Sequence, residues 1–193
     1  MDNNEMTVVN AEKETALVSD NVWTNKEQFN QMLRSAQMLS QTSIIPQSYQ
    51  GKPQDCFVAI EMAGRIGVSP MMVMQNMYVV KGKPSWSGQA CTALINACGR
   101  FRDIRHIYTG EKGTDSRGCY VKAIRIEDGG EVCGTEVTMS MAKGEGWTSN
   151  SKWKNMPELM LAYRASAFFA RVNCPEALMG VQTTEEILDV AER

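Results

Sequence analysis

The chain of 193 residues contains no apolar run that reaches the roughly 18 residues a membrane span needs. Its opening stretch, MDNNEMTVVNAEKETALVSD, has no basic start, no apolar stretch and no small-residue cleavage site. It therefore does not read as a signal peptide. Its polar, acid-rich composition predicts a disordered tail over residues 1–22, ahead of a single domain over 23–193. Histidine is nearly absent: His106 is the only one. The six cysteines form no CxxC pair, so the ligand spacing of a zinc site is missing. They read instead as reduced, mostly buried thiols of a cytoplasmic protein. GKPSWSG resembles part of a phosphate loop, but GxxxxGK[ST] does not occur, so nothing indicates ATP use. No carboxylate cluster or Cys/His pairing stands out. The expectation is a protein without catalytic residues, metal or cofactor. A cysteine nucleophile, Cys91 or Cys98 with His106, is the remaining enzymatic alternative.

Excess charge is also lacking, since the net is −2, but the average hides a pattern. Residues 1–50 carry −3, residues 51–109 carry +4, residues 110–175 carry +1 and residues 176–193 carry −4. A basic centre between acidic ends points to an anionic partner.

The hydrophobic periodicity predicts an α+β fold: a β-hairpin plus a three-stranded antiparallel sheet packed with helices, and a long C-terminal helix. A first helix is predicted from Thr24, with Thr24 and Glu27 as a capping box. A second is predicted over Pro53–Ile66, stopped by Gly67, and a short helical piece follows from Pro70. Tyr78–Val80 and Ser85-Trp86 read as hairpin arms around Lys81-Gly82-Lys83-Pro84. Ser87 caps a helix over Gly88–Cys98. Arg102–Tyr108, Cys119–Ile126 and Glu131–Met139 read as strands separated by glycine-rich segments. Met141–Gly146 reads as a short helix, Thr148–Lys154 as a polar loop, and Thr184–Arg193 as an acidic tail helix. The long helix is predicted from about Asn155, with Pro157 in its first turn, to the residue before Cys174-Pro175.

That long helix is apolar on nearly every side, which predicts burial, yet it carries Arg164 and Arg171. Seven residues apart, they share one face, roughly 10.5 Å apart along the axis, with Phe168 between them. A row of Arg-Phe-Arg can hold phosphates and offer bases a stacking surface. The alternative is that each arginine pairs inside the fold with an acid such as Glu61 or Asp103. Three further basic clusters fall in the same central region: Lys81 and Lys83 at the hairpin tip, Arg100 with Arg102 and Arg105, and Lys152 and Lys154 around Trp153. Basic residues beside an aromatic suit single-stranded nucleic acid.

Three stretches together resemble the RecT family of phage single-strand annealing proteins, and more distantly the phage Redβ protein. They are VAIEMAGRIGVSPMMVMQNMYVVKGKPSWSGQ (58–89), INACGRF (95–101) and WKNMPELMLAYRASAFFARVNCPEALMGVQTTEE (153–186). The resemblance covers about residues 55–187, and the third stretch is its most specific part. It implies ATP-independent binding of single-stranded DNA and annealing of complementary strands in phage-type homologous recombination, in the cytoplasm of a bacterial host. It implies a long helix bordering a basic groove, with Arg164 and Arg171 on the DNA backbone, and self-assembly into rings or helical filaments on single strands and annealed duplex. Substitution of either arginine would then impair annealing more than substitution of Lys81. A host single-strand binding protein or a phage exonuclease is a further possible partner. The chain departs from the family in ending at Arg193 and in having Glu158-Leu159 where the distant relative is basic. An oligomeric adaptor that binds proteins instead of DNA is the alternative function.

Overall fold

A computed structural model describes residues 22–191, and the chain divides into two compact units, Met1–Glu61 and Met62–Arg193. In the first, helix α1 (Lys26–Ser40) is capped by Asn25, whose side-chain oxygen accepts from the amides of Glu27 at 3.0 Å and Gln28 at 3.2 Å. The helix thus starts one residue later than the Thr24 box predicts. Trp23, Phe29 and Phe57 form an aromatic cluster with ring centroids 5.1–6.0 Å apart. Phe57 belongs to α2 (Pro53–Ile66), which continues into the second unit. The predicted tail over 1–22 lies, but for Val22, outside the described residues.

In the second unit, Ser69 caps α3 (Pro70–Asn76) with its hydroxyl on the Met72 amide. The hairpin follows as β1 (Met77–Val80) and β2 (Lys83–Trp86). Its two-residue turn has Lys81 at φ 52° and Gly82 at φ 78°. Two positive φ values match the right-handed strand twist, and glycine at the second position removes half the steric cost. Helix α4 (Gly88–Ala97) is capped by Ser87 as predicted.

Strands β3 (Phe101–Thr109) and β4 (Gly118–Arg125) pair antiparallel. The register slips between Arg102 and Arg105, where Asp103 sits at φ 53° as part of a bulge. The third predicted strand is broken into β5 (Glu131–Cys133) and β6 (Val137–Thr138), both paired with β4. At the break the chain passes close against the long helix. A Cβ at Gly134 would lie 3.0 Å from the Phe169 ring. The sheet is therefore four-stranded.

Helix α5 (Met139–Gly144) and a single 3-10 turn at Trp147–Ser149 lead into α6 (Lys152–Asn155). The segment predicted as a polar loop is largely helical, because both tryptophans turn inward: Trp147 and Trp153 are buried, their rings 5.6 Å apart. Helix α7 (Pro157–Asn173) packs against β4 and α4, and its buried residues occupy most of its circumference. After α8 (Pro175–Leu178), strand β7 (Gln182–Thr183) pairs in parallel with β2, adding a third strand to the hairpin. Helix α9 (Thr184–Ala191) follows. Among the described residues no single helix is long and apolar enough to cross a membrane.

Candidate nucleic-acid interface

The two arginines of α7 do not form an outward row. Arg164 has 7% of its side chain exposed, with Nη1 3.3 Å from Glu186 and Nη2 bonded to Asp189. Its guanidinium also stacks on Trp147, 4.0 Å from the ring centroid. Asp189 is fully buried and accepts further hydrogen bonds from Asn150 at 3.1 Å and from the Trp153 indole at 3.3 Å. Arg171 pairs with Glu186 and keeps 38% of its side chain exposed. Burial pushes the Glu186 carboxyl up, but the Arg171 hydrogen bond and charge outweigh it and hold the group below its ordinary value. The Thr183 amide donates to the same carboxylate at 2.8 Å.

The internal alternative thus describes both arginines in this structure, with different acids from Glu61 and Asp103. The partners come from α9, where Glu186 and Asp189, three residues apart, share a helical face. A buried guanidinium needs such a partner. Phe168 is half-buried and sits edge-on to Trp147, at 6.3 Å. Trp153, expected to be a stacking surface, has 1% of its area exposed and donates to Asp189. The tryptophans, Arg164 and α9 make one internal tie.

The remaining clusters separate into paired and unpaired cations. Arg100 pairs with Glu176 at 2.9 Å, and Arg102 lies 3.5 Å from Asp103. Lys81 and Lys83 at the hairpin tip, and Lys152 and Lys154 on α6, are exposed and have no ion pair among the described residues.

Two clefts flank α6. One, of about 420 Å³, is lined by four bases, Lys112, Arg117, Lys143 and Lys154, and two acids, Asp115 and Glu158. Arg117 grips Glu158 through Nε at 3.1 Å and Nη2 at 2.6 Å, and lies over the Tyr108 ring at 4.9 Å. Lys112 is 3.4 Å from the other Glu158 oxygen, and Lys143 pairs with Asp115. The Arg117 hydrogen bond holds the Glu158 carboxyl below its usual range, so it stays ionised. Two positive charges are left over, Lys154 foremost. The other cleft, of about 390 Å³, takes Lys152 at its rim and Tyr78, Met156, Leu159, Tyr163 and Glu185 in its walls. Sequence reasoning missed Lys112, Arg117, Lys143 and both tyrosines. The signal for the first two was present in TGEKGTDSRG, a segment read only as a strand separator.

Other chemistry is weakly furnished. Burial pushes the Cys91 thiol up to about 12, leaving a neutral thiol at physiological pH. His106 is half-buried with Nε2 2.7 Å from the Ser166 hydroxyl. Among the described residues, no three His, Cys, Asp or Glu side chains group as metal ligands.

A model of the RecT family matches residues 30–193 of the chain. No significant match was found among curated proteins or among solved structures.

Proposed function

The chain belongs to the RecT family, whose members are DNA-binding phage recombinases that act by single-strand annealing, and from that premise we propose that it binds single-stranded DNA and anneals complementary strands without ATP or covalent catalysis. The observation that carries the location is the α6 corner. Lys152 and Lys154 sit on either side of it, each in a different cleft, and neither makes an ion pair among the described residues. A phosphate backbone crossing α6 meets both lysines, with Lys112 and Lys143 on one side and the hairpin lysines Lys81 and Lys83 as an outer contact. Arg164 and Arg171 serve this reading indirectly, by fixing α7 and the tryptophans under α6. Protomers assembled with their α6 corners in line form one continuous basic track, and a second strand samples register against the bases of the first.

The double variant Lys152→Ala/Lys154→Ala tests this reading by anisotropy of a labelled strand over a series of salt concentrations. Two lost phosphate contacts lower the slope of log K against log salt by about 1.4, at ~0.7 per contact on a single strand. Annealing followed without nucleotide triphosphate slows in parallel. An unchanged slope and unchanged annealing would move the track elsewhere, and a parent that binds no strand would favour the adaptor function.

A further inference from the structure

The cleft between β1, α4, α6 and α7 contains a carboxylate that the fold satisfies only in part. Oε2 of Glu185 is buried and has no hydrogen-bond partner among the described residues. An orphaned buried acceptor is destabilising, so it marks a place where a donor is wanted. Its neighbours include Tyr78, 48% exposed on the hairpin, and Tyr163, Met156 and Leu159 on or beside α7, alongside the polar Ser87, Gln89 and Thr184. Gly88 at the first turn of α4 keeps the wall thin. A Cβ there would lie 2.6 Å from the Tyr163 ring and 2.9 Å from Glu185 Oε2. Burial also holds the Glu185 carboxyl above its ordinary value, against the backbone amides of Glu185 and Gly88 and the Lys152 charge, which pull it down. Lys152 lines the same cleft, has no ion pair within 4 Å among the described residues, and its charge acts on Glu185. A cleft of about 390 Å³ with few polar groups on apolar walls is of the size and lining that holds a small organic ring.

We infer that this cleft receives one unpaired nucleobase carrying an exocyclic amino group, with the amino N–H donating to the Glu185 carboxylate, a tyrosine face against the ring, and Lys152 on the adjoining phosphate. The inference rests on the proposed strand binding and adds a base contact to it. Cytosine presents the donor, whereas uracil presents a carbonyl oxygen in the same place and meets the carboxylate unfavourably. Every protomer would hold one base out of the stack, and the preference would be for composition, not for a sequence.

The test compares labelled oligo(dC) and oligo(dU) of equal length at neutral pH, with an abasic strand of the same charge. The parent binds oligo(dC) about tenfold tighter than oligo(dU), the scale of one hydrogen bond to a charged acceptor. Glu185→Gln, whose amide can also donate to a carbonyl, brings the two to within about twofold. Tyr78→Ala, at an exposed position, weakens oligo(dC) by about fivefold or more and leaves the abasic strand unchanged. Equal affinity of the parent for oligo(dC), oligo(dU) and the abasic strand, with the salt dependence intact, would overturn the base pocket and leave strand binding standing. No binding of any strand would overturn both.

Discussion

Replacing Arg164 by methionine separates an internal tie from a DNA contact. The substitution keeps the apolar stem of the side chain and removes its charged end. Asp189, fully buried, then retains only neutral donors, the Asn150 amide and the Trp153 indole. Glu186 retains Arg171 and Thr183. Breaking a buried ion pair from one side costs about 3–5 kcal/mol, and the surviving donors argue for the lower end. For a chain of this size, a loss of about 3 kcal/mol lowers the melting midpoint by roughly 6–12 °C. Thermal unfolding by circular dichroism reads that shift. Combining Arg164→Met with Asp189→Asn recovers part of it, because the second change removes the charge that the first left bare; the coupling in a double-mutant cycle is about 0.5–3 kcal/mol. Well below its midpoint, Arg164→Met binds labelled single strands with the parent's salt dependence. A variant that melts with the parent yet loses strand binding would refute the reasoning and put the guanidinium on a phosphate.

Acid titration gives a second check. Burial holds His106 below the ordinary 6.5, an effect its hydrogen bonding only partly offsets. As pH falls through 6.5 the unfolded chain takes the proton first, so this group's contribution is intact above 6.5 and lost towards its lower folded value. Burial holds Glu185 above its ordinary value, so Glu185 acts with the opposite sign. The difference between the parent and His106→Gln, in denaturant midpoints from pH 7 downward, isolates the histidine; parallel curves would contradict its burial as a neutral ring. Alkylation of the native protein, followed by mass spectrometry, labels exposed Cys133 first and leaves Cys91, Cys119 and Cys174 unreacted, because burial pushes their thiols up to about 12, 11 and 12. Early labelling of Cys91 would show that the contact of α4 with α7 opens readily.

The elements legible in the sequence are those whose signals are local. Ser87 and Gly88 start α4, Lys81-Gly82 makes the turn, and Pro157 and Cys174-Pro175 bracket α7. Signals that depend on distant residues were missed. Glu131–Met139 alternates like one strand and is interrupted where Gly134 lies against the Phe169 ring. Trp147 and Trp153 looked like loop aromatics because Asp189, 36 residues beyond Trp153, completes their pocket. The direction of Arg164 was illegible for the same reason. Its spacing with Arg171 is that of an outward face, while the neutralising acids lie on a tail helix that composition alone reads as solvated. The four bases of the larger cleft come from Lys112, Arg117, Lys143 and Lys154, on separate segments that periodicity does not bring together.

The parallel pairing of β7 with β2 sets an order of events during synthesis. Ser85 and Trp86 leave the ribosome long before Gln182 and Thr183 exist to bond with them, and Arg164 emerges ahead of the helix that neutralises it. Until Glu186 and Asp189 arrive, Arg164 lacks the acids that neutralise it and the Trp153 indole lacks its acceptor. The second unit's final packing therefore waits for residues 182–189, and a chain shortened ahead of Gln182 would be left in that unfinished condition.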